Sequence, residues 1–473
     1  MRSPWIVAVL VTAAAAVPPA VLPLAQAWWG MVAAVGVASL AWAVYAWRRD
    51  RSATALTRPE KAPDAPTTLA ELSAVDEEIR LAKPTLDVAT ALPRVLVLGD
   101  GATGASSLIA SSGDSFRYAT TASDRPLRVW VGSTAVWFDV AGRVARDPSL
   151  RTVLLGVLHR LRVLREGLAL DGLVLTVSAD ALTALSESDA DALGRRLRAK
   201  VDAVRAESGV EAPVYILATG IDRLQGFAAA VAHLRPSERG QVLGVTVPVA
   251  TKPDARVAKV DEGLREMTTH LLRRVLHASN WRTPAAAREL AWQFPQWCEA
   301  TRPPLLRVVS ALCDPSVGAP PVLRGVYLTS AADHGTPLGQ APTQARGWFL
   351  SDVVRGVVIP DREFATHSAY ERVRRRGSRR LLAATLTCAA ALAAVFSVWS
   401  WRANEARLDA VSTALDRSIQ RPPPAGADEA LAARVASLRA GESVAPWYER
   451  LGFTVADQVA PPIERALRPR GSD

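Results

Sequence analysis

Cysteine is nearly absent. The chain of 473 residues has three, Cys298, Cys313 and Cys388. No two of them have metal-site spacing, and three cannot build a disulfide framework. Histidine is scarce too: six are scattered along the chain, with no H-E-x-x-H or comparable cluster. His159, His270 and His277 fall in helix-like stretches and read as structural or exposed side chains. No metal centre and no Cys/His catalytic arrangement is expected. Acidic residues are outnumbered, 46 against 56 lysines and arginines, a formal charge of +10. Such a balance can point to nucleic acid, but its placement argues otherwise. The densest basic clusters are Arg48, Arg49 and Arg51, and RVRRRGSRR from Arg372 to Arg380. Both abut long apolar runs, and neither has aromatic side chains interleaved for base stacking.

Apolar residues are plentiful, 49% of the chain. They gather in three long runs: Pro4 to Ala27, Trp28 to Trp47, and Leu381 to Trp401. About 20 residues at roughly 1.5 Å rise cross the hydrocarbon layer, so each run is long enough. Trp28, Trp29, Trp42, Tyr45 and Trp47 flank the second run, and Trp399 and Trp401 close the third, as interfacial rings do. The arginine clusters then set direction by the positive-inside rule, with Arg2 in agreement. The expected organisation has a transmembrane hairpin (1–47) and a linker and helix (48–84). A third transmembrane helix (381–401) and a short periplasmic tail (402–473) follow a cytoplasmic region. A second reading of the first run is a cleavable signal peptide ending at the A-x-A-like Ala27. Both readings leave residues 52–378 in the cytoplasm of a multi-pass inner-membrane protein.

Residues 52–70 are rich in Pro, Thr and Ala and read as a linker. A helical pattern with Leu72, Val75 and Ile79 on one face follows, up to a break at Pro84. Short apolar runs then alternate with amphipathic helical segments. The runs at 94–99, 134–140, 171–178, 213–220 and 322–330 read as strands, and residues 255–315 as mainly helical. Near-continuous apolar strands alternating with helices predict a doubly wound α/β sheet. Its ligands sit beyond the carboxyl ends of the strands.

Three polar motifs fall there. The first, VLVLGDGATGAS, has Gly99, Gly104 and Ser106 at the spacing of the phosphate-binding G-x-x-x-x-G-K-[ST] loop, with Ala105 in the lysine position. A working loop needs that lysine for the β- and γ-phosphates and the hydroxyl for Mg²⁺. The second, WFDVAGR, puts Asp139 and Gly142 in a D-x-x-G element. There the aspartate would hold Mg²⁺ through water, and the glycine N–H would sense a γ-phosphate. The third, ATGID, puts Thr219 and Asp222 where T-K-x-D would read guanine, with Gly220 for the lysine. Three such motifs in order predict a degenerate P-loop GTPase-like domain (85–250), followed by a helical extension with a returning strand (251–378). The eight positions Gly99, Gly104, Ala105, Ser106, Asp139, Gly142, Thr219 and Asp222 are a vestigial nucleotide site. No catalytic residue and no bound cofactor is expected, so GTP or ATP with Mg²⁺ is not a required partner. Arg125 or Arg128 could supply charge in place of the missing lysine.

The same segments resemble the IcmF/TssM inner-membrane proteins of type VI secretion systems, over residues 1 to about 401. FDVAGR, DGLVLTVSADAL, PVYILATGIDRLQGF, LRGVYLTS and WFLSDVVRGVVIPDREFA carry the resemblance. Ala105, Gly220 and Val140 depart from the family's lysines and threonine, and the tail is short beside the family's large periplasmic region. The resemblance implies a non-enzymatic, membrane-anchored scaffold whose cytoplasmic platform meets a DotU-like inner-membrane subunit and baseplate proteins. A homo-oligomer set in the lipid bilayer is expected. Two other readings stand beside it: an NTP-dependent switch in the same complex, and a membrane-tethered regulator unrelated to secretion.

Overall fold

The computed structural model describes residues 66–101, 103–165, 167–278, 284–331, 347–421, 424–444 and 456–467. The two N-terminal apolar runs lie outside these residues. Residues 50–373 form one compact unit, and residues from 374 onward fall in a second.

The first unit opens with α1 (Pro66–Val88). Residues 66–70, expected as linker, are its first turn, with Pro66 where a missing N–H costs nothing. The helix also runs through Pro84 rather than ending there. Pro84 removes one backbone bond near the C-terminal end, and the buried stripe Val75, Ala82 and Leu86 holds the last turn on the core.

Strand β1 (Arg94–Gly99) leads through a glycine-rich loop to α2 (Ala105–Ala110). Then come β2 (Phe116–Ala119), β3 (Leu127–Gly132), β4 (Val136–Val140), α3 (Gly142–Arg146) and α4 (Arg151–Val163). Strand β5 (Gly172–Ser178) is followed by α5 (Ala179–Thr183), α6 (Glu187–Ser208), β6 (Val210–Glu211), β7 (Val214–Thr219) and α7 (Phe227–Val231). After β8 (Gly244–Thr246) come α8 (Arg256–Ala278), α9 (Ala285–Leu312), β9 (Leu323–Thr329) and β10 (Thr366–His367). The main sheet has eight strands in the order β2-β3-β4-β1-β5-β7-β9-β8. The run from β4 to β9 is parallel, and β2, β3 and β8 join antiparallel at the two ends.

Side chains alternate across this sheet, as the period of two requires. Leu96, Leu98, Phe138, Leu175, Ile216 and Val326 enter one core, covered by α1, α4, α6 and α9. Val95, Val97, Trp137, Val174, Tyr215 and Tyr327 enter the other, covered by α2 and by residues 350–358. Both faces are therefore dry, which explains why the central strands read as unbroken apolar runs. On the second face the returning segment is fastened by charge. Arg324 of β9 grips Asp361 with two bonds, Nε to Oδ2 at 2.7 Å and Nη2 to Oδ1 at 3.0 Å, and the Tyr215 hydroxyl donates to Oδ2 at 2.8 Å.

Helix α6 shows how locally specified these elements are. Ser186 caps its N-terminus by accepting from the Asp189 N–H, and Gly209 ends it at φ 68°. Ala190, Leu193, Leu197, Val201 and Val204 form its buried stripe.

Residues Ala369–Ile419 form a single helix, α10, of 51 residues, which contains the third apolar run. Among the described residues no helix is long and apolar enough to cross a membrane. Within the second unit, Val411 and Ala414 of α10 pack with Leu431, Val435 and Leu438 of α11 (Ala427–Val444) and with Ala456 and Ala460 of α12 (Ala456–Leu467).

Candidate functional site

The loop after β1 is laced to the neighbouring strands. The Asp100 N–H donates to the Thr176 carbonyl at 3.3 Å, and the Thr103 and Thr176 hydroxyls meet at 2.5 Å. From β7, the Thr219 hydroxyl donates to the Thr103 carbonyl at 2.5 Å and to the Val177 carbonyl at 3.2 Å. Gly104 takes φ 71° and opens α2, whose first residue, Ala105, is buried with only a methyl group to present. These bonds tie the described residues of the loop to β5 and β7.

Asp139, at the end of β4, is fully buried. The Ser106 hydroxyl donates to its Oδ2 at 2.6 Å, and Arg128 Nη2 stands 3.0 Å from the same oxygen. Strand register makes that ion pair, since Arg128 of β3 lies directly across from Asp139. Oδ1 has no hydrogen-bond partner among the described residues. Burial pushes the Asp139 carboxyl above its ordinary value, against the pull of Arg128 and of the Ser106 bond. The two groups that could ligate a divalent cation are thus bonded to each other, and an arginine already supplies the positive charge. This donor set suits an internally neutralised carboxylate and does not suit a Mg²⁺ site.

The next turn closes on the loop. A Cβ at Gly142 would run into the Gly101 carbonyl, so only glycine lets the two turns touch. Arg143 leaves this turn for α1, where Nη1 and Nη2 reach Glu71 Oε1 and Oε2 at 2.5 and 2.9 Å. It also donates to the Asp124 carbonyl at 2.8 Å. Three neighbouring ties fasten α1: Asp76 to Arg160, Glu77 to Arg125, and Glu78 to the Tyr118 and Thr120 hydroxyls.

At the third motif Gly220 takes φ 78°, and the Arg223 guanidinium folds over the place where its side chain would be. Arg223 is held there by Asp180 at 2.8 Å and the Ser178 hydroxyl at 3.3 Å. Asp222 accepts from the Ser330 hydroxyl just beyond β9.

The structure therefore brings Gly99, Gly104, Ala105, Ser106, Asp139, Gly142 and Thr219 together at the carboxyl edge of the sheet. Asp222 sits on the same edge, bonded to Ser330 rather than to the others. Neither arginine proposed to replace the loop lysine does so: Arg125 pairs with Glu77, and Arg128 with Asp139. The cations that do reach the loop come from α6. Lys200 Nζ stands 2.8 Å from Asp100 Oδ1, and Arg196 Nη2 stands 2.9 Å from Oδ2. The sequence holds one hint of them: an acidic residue inside the loop needs a partner.

Two comparisons bear on this chain. The family described as the IcmF-related N-terminal domain matches residues 151–386, which takes in Thr219 and Asp222 but begins after Gly142. A type VI secretion system component, TssM1 of Pseudomonas aeruginosa, is 26% identical over 458 residues. That alignment takes in 83% of this chain, which spans only 41% of the relative's length. Both comparisons point the same way: the chain is IcmF/TssM-like.

Proposed function

We propose that the protein is a non-enzymatic, membrane-anchored scaffold of a type VI secretion membrane complex. Residues 52–378 lie in the cytoplasm as a degenerate P-loop GTPase-like platform. The observation that carries the reading is Asp139. A nucleotide-bound Mg²⁺ would need that carboxylate and the Ser106 hydroxyl, and here Arg128 and Ser106 consume the same oxygen. The missing lysines at Ala105 and Gly220 act in the same direction. A charged hydrogen bond is worth roughly 1.5–3 kcal/mol, so each loss weakens nucleotide binding about tenfold or more.

The runs 1–47 and 381–401 anchor the platform in the inner membrane. Within α10 the large side chains Leu382, Leu386, Trp399 and Trp401 are exposed, as lipid-facing and interfacial residues would be. The partners are a DotU-like inner-membrane subunit, baseplate proteins and further copies of the chain. One observation favours the switch reading instead. Arg143 ties the D-x-x-G turn to α1, so a ligand-driven movement of the turn would be felt by that helix.

The test is co-purification of the DotU-like subunit with the full chain from detergent-solubilised membranes, with and without EDTA and a nucleotide-hydrolysing enzyme. Equal capture in both conditions is expected. Capture that disappears when nucleotide is destroyed replaces the scaffold with the switch, and no capture at all removes the protein from this complex.

A further inference from the structure

The amino edge of the main sheet, where the parallel strands begin, lies at the other end of β1 from the glycine-rich loop. Arg94 opens β1 there and is only 3% exposed. Its backbone is bonded to Asp171: the N–H donates to Asp171 Oδ2 at 2.8 Å, and the carbonyl accepts from the Asp171 N–H at 2.8 Å. Its guanidinium is not. Nε and Nη1 are buried and have no hydrogen-bond partner among the described residues. Arg165, not Arg94, makes the ion pair with Asp171, with Nη1 2.6 Å from the same Oδ2. Burial, and then the like charge of Arg165, pulls the Arg94 guanidinium below its ordinary value, against Asp171 and Asp87. Arginine nevertheless keeps its charge in a protein. A buried charge without its bonds destabilises a fold, and methionine would fill the same space without that cost. By strand alternation the side chain lies on the face of Leu96 and Leu98, which α1 and α4 cover. The last residues of those two helices, Val88 and Val163, are 76% and 73% exposed.

We propose that Arg94 anchors a docking site at this edge, and that it receives an acidic side chain, aspartate or glutamate, of a partner subunit. The inference rests on the scaffold reading and names a surface that the reading leaves open. What the guanidinium lacks is an acceptor with two oxygens, since it presents its N–H groups as a planar fork. Arg165 adds a second cation nearby, so the edge favours an anion over a neutral acceptor. A carboxylate set between apolar residues fits both parts of the surface. Its oxygens meet Arg94, and its apolar neighbours cover Val88 and Val163. A charged pair sealed from water by apolar contacts is where interfaces concentrate their affinity. Reaching the guanidinium takes rotamer changes at Asp87, which is exposed, and at Arg165, which is half-buried. Such changes commonly accompany docking.

The experiment reads two quantities on the full chain in detergent. The first is thermal melting. Arg94→Met removes a buried charge that has no bonds, so it should melt at or above the temperature of the unaltered protein. A marked fall would mean that the guanidinium serves the fold, and the assignment would be overturned. The second is affinity for the DotU-like subunit, used as the probe. Arg94→Met should weaken it at least about tenfold, because the partner's carboxylate is left buried without its cation. Val163→Ser, at an exposed position that is safe for folding, should weaken it by a smaller factor. Undiminished affinity in folded Arg94→Met overturns the docking site and leaves the scaffold standing. No binding by the unaltered chain removes the scaffold reading, and this site with it.

Discussion

Glu71 and Arg143 meet as a two-pronged ion pair, with Nη1 and Nη2 of Arg143 on the two carboxylate oxygens of Glu71. The pair joins the helix that begins the described chain to the turn that carries Gly142. Its partner raises the Arg143 guanidinium above its ordinary value. Arg143 is half exposed, so solvent screens the pair, and its worth is fixed more by geometry than by charge.

A double-mutant cycle measures that worth. Glu71→Ala, Arg143→Ala and the double variant should each unfold cooperatively. The coupling energy should be at most about 1 kcal/mol, as for a screened pair. Hydrogen exchange should quicken in residues 139–147 in both single variants. Unchanged exchange would mean that α1 does not restrain the turn.

Asp139 sets a pH dependence of known sign. Its folded value is raised, so the folded state holds a proton where the unfolded chain has lost it. Its favourable contribution is present below the unfolded value of 3.8 and is lost as pH rises through the folded value. Asp139→Asn lacks this contribution. Melting temperatures from about pH 4 to pH 8 should therefore fall for the unaltered protein relative to Asp139→Asn. The opposite slope would mean that Arg128 outweighs burial.

Topology gives the third expectation. A periplasm-active reporter fused after Leu150 should be silent, and one fused at Asp473 should be active, because arginines flank the second and third apolar runs on the same side. Activity after Leu150 would place the sheet on the wrong side of the membrane for the proposed scaffold.

The strands buried on both faces, β1, β4, β5, β7 and β9, were legible because an unbroken apolar run has few alternatives when turn residues bound it. The edges were not. Strand β2 is the four residues FRYA, half exposed, and β8 is three residues long. Neither carries a periodic signal of useful length. Helix α1 departs from the expectation at both ends: Pro66 lies in the stretch that reads as linker and Pro84 where a break is expected, yet the helix spans both. In the site, glycines and aspartates after strands mark where loops lie, so eight positions could be named. Their partners could not. Lys200 stands a hundred residues from Asp100, and the Arg128 pairing depends on a register that side-chain chemistry alone does not give.

That register also orders assembly. Arg128 and Asp139 lie on adjacent strands of a hairpin closed by the Gly132 N–H on the Ala135 carbonyl at 2.9 Å. Hairpins close in roughly 1–10 μs, well before contacts across the whole sheet, which must first bear the entropy of a long loop. Closing this one neutralises Asp139 while water still surrounds it. The carboxylate is never carried into the dry interior alone, and the barrier to completing the sheet omits the desolvation of a lone charge. A slip of one residue in the same hairpin would turn Arg128 to the opposite face and restore that barrier, so the pair selects its own register during folding.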